Sequence, residues 1–194
     1  MKIETRGSAE LQTARMTLKP CCPADAAEFI ALERDPDVMR YLDGGLPSGD
    51  GLASPDEGFL RPRGTESWVW AARLKSDAAF VGWFCLYPMS ETVAELGYRL
   101  RRSQWGQGLA TEGARALVGW GFSCHAYDVI VANTMAVNQA SRRVLERLGF
   151  RYLRTVHLDW PNPVPGSEQG DVEYELMRAD WSTTSASVGS HSGV

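Results

Sequence analysis

A glycine-bearing segment at residues 105–112 (WGQGLATE) has the residue types that bind phosphate groups. It follows a strand predicted at residues 93–100 and opens a helix predicted at residues 106–122. The first backbone N–H groups of a helix lack intrahelical acceptors and carry partial positive charge, so they attract anions. Gly106 and Gly108 have no Cβ and let a ligand approach the backbone closely. The segment therefore predicts a phosphate or pyrophosphate site at the start of this helix.

Three kinds of phosphate-binding loop compete for this segment. A Walker loop requires a lysine after its last glycine, and none follows Gly108. A Rossmann loop requires a third glycine where this chain has Thr111, and no acidic residue follows at the required distance. A loop for the pyrophosphate of coenzyme A (CoA) is the third kind. Two glycines alone do not separate it from a helix start that uses glycine only for packing.

The elements that would position this segment alternate between strands and helices. Helices are predicted at residues 23–34, 36–42, 106–122 and 138–148, and strands at residues 11–18, 68–74, 80–88, 93–100, 127–133, 152–158 and 172–177. Residues 43–65 have no periodicity and are predicted as a long loop. The order β-α-α-βββ-α-β-α-ββ predicts an α/β (α+β) fold, a three-layer sandwich with a mixed sheet of about seven strands.

The length and composition predict one domain at residues 11–181. Residues 1–10 are polar and are predicted as a flexible arm, and residues 182–194 are predicted as a disordered tail. The chain of 194 residues has a formal net charge of −4, which argues against a nucleic-acid partner. Its apolar runs are shorter than the roughly 20 residues of a membrane helix, so no membrane partner is expected.

The four cysteines show no metal-binding spacing. Cys21 and Cys22 are adjacent, Cys85 and Cys124 are isolated, and the three histidines are scattered. Adjacent cysteines rarely staple a fold, and a zinc site needs spaced pairs of ligands. We therefore expect no metal, reduced cysteines and a cytoplasmic location.

Five segments of the chain resemble one protein family, in the family's own order. Residues 105–110 resemble the signature (Q/R)xxGx(G/A), in a variant with Trp in the leading place. Residues 11–20 resemble the opening strand LxTxRLxLRP, residues 35–42 the second helix, residues 94–98 the EIGY strand and residues 138–150 the NxxSxxVLEKLGF helix. The family is the GNAT (Gcn5-related N-acetyltransferase) superfamily, and the branch is RimJ/RimL-like. The resemblance covers residues 11–181.

The resemblance implies how acetyl-CoA would bind. In the family, the strand before the loop separates from the next strand, and the pantetheine arm of CoA lies in the gap. Here the arm would lie along Leu100, the pyrophosphate on the helix start, and Asn138 would hydrogen-bond the arm. The implied cofactor-binding residues are Leu100, Trp105, Gly106, Gln107, Gly108, Leu109, Ala110, Thr111 and Asn138. Asn138 is also expected to cap the helix that follows it.

The resemblance also points to catalytic residues. Acetyl transfer to an amine needs a base for the amine, a donor for the developing oxyanion and an acid for the leaving thiolate. Glu95 is the candidate base, with a hydrogen bond to the amine as its alternative role, and a backbone N–H near Leu100 would serve the oxyanion. Many members use a tyrosine acid where this chain has Leu145. Ser141, one turn earlier, is the candidate acid, unless it only caps the helix or the thiolate leaves unassisted. Tyr98 and Tyr174 are further candidates, with strand packing as their alternative role.

The function implied is an acetyl-CoA-dependent N-acetyltransferase that acts on a primary amine by direct attack in a ternary complex. The amine acceptor is a protein N-terminus or a small molecule, and the residues do not separate the two. A catalytically silent acyl-CoA-binding domain and an enzyme with a longer donor such as succinyl-CoA are the alternatives. A nucleotide-binding module is disfavoured by the loop. An edge strand predicted near the C-terminus favours a homodimer.

Overall fold

Eight strands form one mixed sheet in a computed structural model of the chain, which describes residues 9–42, 60–157 and 163–181. The strands are β1 (Leu11–Gln12), β2 (Met16–Pro20), β3 (Val69–Leu74), β4 (Phe80–Pro88), β5 (Val93–Leu100), β6 (Val129–Met135), β7 (Arg151–Val156) and β8 (Asp171–Met177). Their order across the sheet is β1-β2-β3-β4-β5-β6-β8-β7. β5 and β6 run parallel, and the other neighbouring pairs are antiparallel.

Helices cover both faces of this sheet. They are α1 (Ala26–Glu33), α2 (Pro36–Met39), α3 (Leu109–Cys124) and α4 (Gln139–Leu148). On one face, Phe29 of α1 belongs to a buried cluster with Trp83. On the other face, Leu117 of α3 and Leu145 of α4 belong to a larger buried cluster with Phe84. Because Trp83 and Phe84 are consecutive in β4, they point to opposite faces, and the three layers follow.

The predicted α/β class, the three layers and the element order are confirmed, with one strand more than predicted. The segment predicted as one strand at residues 11–18 turns at Thr13, whose Oγ1 accepts from Met16 N at 2.8 Å. Thr13 N donates to Met16 O at 2.9 Å, and β1 folds back on β2 with Leu11 opposite Leu18. A threonine side chain makes this turn without glycine or proline, so the usual turn residues do not announce it.

β7 lies at one edge of the sheet. Tyr152 and Leu153 on this strand are 55% and 49% exposed. The edge strand predicted near the C-terminus is therefore present, and assembly of two copies through it stays a prediction.

Several predicted segments lie outside the described residues. They include most of the arm at residues 1–10, the tail at residues 182–194 and most of the loop at residues 43–65. The predicted domain limits therefore stay predictions. Among the described residues, no three His, Cys, Asp or Glu side chains are grouped as a metal site requires. None of the helices in the described ranges combines the length and the apolar character needed to cross a membrane.

Candidate active site

A gap opens between β5 and β6 after a short parallel contact. Their register covers three residue pairs and ends where Glu95 faces Val131. β5 continues to Leu100, and β6 continues to Met135, beyond this last pair. The carboxyl halves of two neighbouring parallel strands therefore leave main-chain groups facing each other without pairing, as the resemblance implied.

A cavity of about 1030 Å³ occupies this gap. It is lined by side chains of α2, β4, β5, β6 and α4 and by the loop that enters α3. Every site residue predicted from the sequence lines it except Gln107, whose Nε2 donates to Ser103 O at 3.0 Å, and the further candidate Tyr174. The volume is in the range of sites for ligands of drug size and larger. The cavity therefore brings the predicted catalytic and cofactor-binding residues together.

The α3 helix starts at Leu109, three residues later than predicted, and two left-handed glycines precede it. Gly106 has a φ of +73° and Gly108 a φ of +78°, which favour glycine because a Cβ is strained there. The first hydrogen bond that closes onto the helix runs from Glu112 N to Gly108 O at 3.0 Å. The N–H groups of residues 109–111 therefore lack intrahelical acceptors and form a donor set for an anion.

The start of α3 fits the diphosphate of CoA. A Cβ placed on Gly106 would meet no heavy atom of the described chain within 4 Å, so open space adjoins the backbone there. Thr111 Oγ1 is buried, without a hydrogen-bond partner among the described residues, and Thr111 lines the cavity. Buried hydroxyls are rarely left unpaired, and a ligand oxygen would satisfy this one. Gly106, Thr111 and the N–H groups near them are the residues that would hold the diphosphate.

Trp105 connects the end of β5 to the loop before α3. Its Nε1 donates to Leu100 O at 2.9 Å, while the side chain remains 39% exposed. The Arg40 guanidinium lies 5.8 Å from the centroid of its ring. The hydrogen bond holds the loop against the strand, and it places Leu100 and Trp105 together beside the gap. Their contact with CoA stays a prediction.

An ion pair that the sequence analysis missed braces the start of α3. Arg15 Nη2 and Glu112 Oε2 are 2.7 Å apart. Glu112 also accepts from Thr13 Oγ1 at 2.6 Å and from Arg15 N at 2.8 Å, and Arg15 Nη1 donates to Gln107 O at 2.8 Å. Burial alone would raise the pKa of Glu112, but these hydrogen bonds and the Arg15 charge hold it below its usual value. The pair joins the β1–β2 turn to the loop.

Glu112→Gln is expected to lower the free energy of unfolding by about 1–2 kcal/mol near neutral pH, because Thr13 and half-exposed Arg15 lose a charged acceptor. The folded-state pKa lies below the unfolded one. The stabilisation is therefore present above the unfolded pKa and is lost as pH falls through the folded pKa. Denaturant unfolding from neutral to acid pH measures it. Glu91→Gln, at an exposed position, is the control. A stability difference that does not change with pH would contradict the role of the charge.

Glu95 lies at the last β5–β6 pair, where the gap begins. Asn133 Nδ2 donates to Glu95 Oε1 at 2.5 Å from the next position of β6 on the same face. Burial raises the pKa of Glu95, and the Asn133 hydrogen bond offsets part of this rise. A carboxylate with a raised pKa in a cavity is suited to accept a proton near neutral pH. Asn133 was missed because its place beside Glu95 depends on the strand register.

The Ser141 and Tyr98 hydroxyls are 2.9 Å apart, and both residues line the cavity. Tyr98 projects from β5 toward α4, and Ser141 lies in the first turn of α4. Burial raises the pKa of Tyr98 to about 12, against a lowering by the Ser141 hydrogen bond, so Tyr98 keeps its proton at physiological pH. Leu145 is 1% exposed and belongs to the core. A tyrosine hydroxyl thus reaches the predicted acid from a strand rather than from α4.

Asn138 caps α4 as predicted. Its Oδ1 accepts from Ser141 N at 3.2 Å, and its Nδ2 donates to Thr134 Oγ1 at 3.1 Å. The oxygen and the nitrogen of the Asn138 side-chain amide therefore each have a partner within the protein, although the residue lines the cavity. The capping role is confirmed, and the contact with the CoA arm stays a prediction.

The family follows from a match along most of the chain. Residues 15–151 match the acetyltransferase (GNAT) domain. The chain belongs to the GNAT acetyltransferase family. The resemblance to this superfamily is thereby confirmed, and the GNAT domain is an N-acetyltransferase.

Relatives of this GNAT domain agree in family and fold. The chain is 31% identical over 185 residues to "FsC-acetyl coenzyme A-N(2)-transacetylase" of Aspergillus fumigatus, covering 88% of this chain and 77% of that protein. A GNAT-family acetyltransferase from Bacillus anthracis has the same fold, with a TM-score of 0.71 at 19% identity, covering 88% of this chain and 99% of that one. RimL, a ribosomal L7/L12 alpha-N-protein acetyltransferase solved with coenzyme A, matches with a TM-score of 0.67 at 16% identity, covering 87% and 98%.

Proposed function

We propose that this GNAT domain transfers the acetyl group of acetyl-CoA to a primary amine by direct attack within a ternary complex. The observation that carries the proposal is the gap between β5 and β6, which opens beside the N–H groups at the start of α3. One cavity thus offers strand backbone for an extended arm and a positive helix end for a diphosphate. The coenzyme A in the RimL structure supports this choice of donor.

The chain would hold acetyl-CoA along one line through the cavity. The pantetheine arm would lie beside β5 between Glu95 and Leu100, and Gly106 and Thr111 would hold the diphosphate. When bound, acetyl-CoA supplies the thioester carbon that the amine attacks. Tyr98 lies on the face that α3 and α4 cover, whereas Glu95 lies on the opposite face, because alternate strand residues point to opposite sides. In this proposal the donor would enter from the α3–α4 face and the amine from the α1–α2 face.

Glu95 accepts the proton of the amine in the proposed reaction. Burial makes its carboxylate a stronger base than an exposed glutamate, since the charged form is disfavoured. Asn133 holds one carboxylate oxygen at 2.5 Å, which leaves the other oxygen for the amine or for a water molecule between them.

In the proposed reaction the Ser141 hydroxyl donates a hydrogen bond to the leaving sulfur and so stabilises the developing thiolate. We assign the donor role in this 2.9 Å contact to Tyr98, which keeps its proton, so that the Ser141 proton is left for the cavity. The chain thereby keeps a tyrosine hydroxyl at this end of the site without a tyrosine at position 145.

Ser141→Ala is expected to lower kcat about 100-fold with little change in the KM for acetyl-CoA, because only the leaving group loses a donor. The helix cap is kept, since Asn138 bonds the Ser141 backbone. Tyr98→Phe is expected to lower kcat less, and the double variant should be no slower than Ser141→Ala, because Tyr98 acts through Ser141. Steady-state kinetics of the three variants measures this. Losses that add in the double variant would show that the two hydroxyls act separately.

The acceptor in this proposal is a primary amine of a protein N-terminus or of a small molecule. The names of two relatives support a nitrogen acceptor. RimL is an alpha-N-protein acetyltransferase, and the Aspergillus relative transfers to N(2) of FsC. The structural likeness to RimL also supports the RimJ/RimL-like branch as the finer assignment.

Thermal-shift measurement with acetyl-CoA, succinyl-CoA, ATP and NAD, followed by thiol release over an amine panel, tests the proposal. A ligand that binds only the folded form at about 100 times its Kd stabilises by about 2.7 kcal/mol. We expect a shift with acetyl-CoA and amine-dependent thiol release. An increase in melting temperature with ATP or NAD, but not with acetyl-CoA, would contradict acetyl-CoA as the donor. CoA binding without turnover would favour the silent acyl-CoA-binding domain, and faster turnover of succinyl-CoA would favour the longer donor.

A further inference from the structure

Two buried hydrogen-bond donors lie side by side in the cavity, on the α1–α2 face of the sheet where the amine substrate would bind. Trp83 of β4 and Arg99 of β5 are opposite each other in the strand register, and both line the cavity. The Arg99 guanidinium lies 5.0 Å from the centroid of the Trp83 ring. Trp83 is 4% exposed and Arg99 is 7% exposed. The donors therefore lie in a wall largely closed to bulk water.

The Trp83 indole N–H has no function within the described fold. Its Nε1 is buried and, among the described residues, has no hydrogen-bond partner. A buried N–H without an acceptor is destabilising, and nearly all such groups in folded proteins are paired. If the Trp83 ring served only to pack in the core, a phenylalanine ring could do so without burying an unpaired N–H. Because Trp83 also lines the cavity, an oxygen acceptor supplied from the cavity would satisfy this N–H.

The donor pair and the candidate base share one face of β5. Glu95, Gly97 and Arg99 alternate along the strand and point to the same side. Glu95 and Arg99 are four residues apart, about 13 Å between their Cα atoms. A side chain at position 97 would collide with Cys85 Sγ at 2.8 Å, so the floor between them stays bare. A substrate can therefore lie on this floor with one end at Glu95 and the other at Arg99.

We propose that the acceptor carries a carboxylate in addition to its amine, and that Trp83 Nε1 and the Arg99 guanidinium bind this carboxylate. The inference rests on the proposed function, because the amine end is placed by Glu95. A carboxylate accepts several hydrogen bonds, pairs with a guanidinium and satisfies the indole donor. The Arg99 Nη2 already donates to Leu60 O at 3.3 Å, and a diamine of the same length would offer no oxygen acceptor to the Trp83 N–H. The substrate class is thus amino acids and related amino carboxylates, rather than polyamines.

Matched pairs of acceptors test the proposal in the 194-residue protein with acetyl-CoA. Each pair consists of an amino acid and the amine left when its carboxyl group is removed: lysine with cadaverine, ornithine with putrescine, and 6-aminohexanoate with pentylamine. We expect kcat/KM to be at least about tenfold higher for the acid in the preferred pair. Equal or faster acetylation of the decarboxylated partners would overturn the proposal, and this comparison needs no variant.

Variants then assign the effect to the two donors. Trp83→Phe and Arg99→Gln should each lower kcat/KM for the acid by about tenfold or more, while the decarboxylated partner changes by less than about threefold. Trp68→Phe is the matched control, because Trp68 Nε1 is also buried without a partner among the described residues but does not line the cavity. It should leave the ratio unchanged. Equal losses on both members of a pair would contradict a carboxylate contact.

A failure of the carboxylate site can be distinguished from a failure of the proposed acetyltransferase function. If no amine is acetylated although acetyl-CoA binds, the proposed function fails. Calorimetry with the CoA-bound protein then still compares lysine with cadaverine, and tighter binding of lysine that is lost in Arg99→Gln supports the carboxylate site. Binding of neither, or of cadaverine alone, rejects it.

Discussion

Replacing Glu95 with glutamine is expected to lower kcat/KM for amine acetylation by about 10²–10⁴-fold and to leave the affinity for acetyl-CoA unchanged. Glutamine keeps an oxygen that can accept the Asn133 hydrogen bond, so the geometry beside the gap is preserved while the base is removed. Steady-state kinetics together with acetyl-CoA binding by calorimetry measures the two quantities separately. Glu91→Gln, on the exposed turn between β4 and β5, is the matched control.

The pH dependence gives a second readout of the same substitution. Burial raises the pKa of Glu95, so activity that depends on its carboxylate should rise with pH through a midpoint above the usual glutamate range. That limb should be absent in Glu95→Gln. The free energy of unfolding depends on pH in the opposite direction from the activity. A raised folded-state pKa gives stability below the unfolded pKa, which is lost as pH rises through the folded value. The variant should therefore be more stable than the native protein at neutral pH. An unchanged pH–rate profile would remove Glu95 as the base.

Gly106→Asp is expected to weaken the binding of acetyl-CoA by at least about 100-fold relative to Gly106→Asn, because a carboxylate would face the diphosphate. The two side chains are similar in size, and both bear the same φ of +73°, so backbone strain cancels in the comparison. The structure makes Gly106 the cleaner position, since a Cβ there meets open space in the described chain, whereas one on Gly108 lies 3.7 Å from Arg15 Nη2.

Calorimetric titration of acetyl-CoA at two salt concentrations measures this difference. The Asp-to-Asn ratio should shrink as salt rises, because the repulsion is partly screened. Melting temperatures of the two variants should agree with each other, which keeps folding out of the comparison. Equal affinities of the two variants would contradict the placement of the diphosphate at this loop.

Most of the fold was predictable because local patterns specify it. The β4 and β5 limits are as predicted, since β4 is a continuous apolar run, β5 alternates over its first half, and turn residues flank both strands. The cap of α4 by Asn138 and its left-handed stop at Gly149 follow from residue type alone. The split of the first strand at Thr13 was not predictable, because a hydroxyl makes that turn.

The parts of the site that lie within one continuous segment were predictable, whereas contacts between residues far apart in the sequence were not. The donor set at the start of α3 lies in one continuous segment, so its sequence shows it. The pairings of Arg15 with Glu112, Asn133 with Glu95 and Tyr98 with Ser141 join residues between 38 and 97 positions apart. Each depends on which distant segments the fold brings together, and the hydrophobic pattern of a single segment does not specify this.

The three-pair contact between β5 and β6 also affects how the ligand-free protein meets other chains. A sheet normally exposes unpaired main-chain groups at its two outer borders, where they invite pairing with a neighbouring molecule. This sheet has a further pair of such borders in its interior, beyond Glu95 and Val131. A bound donor lying there would occupy the space between them, so we expect the co-substrate to lower the tendency of these borders to pair with another chain.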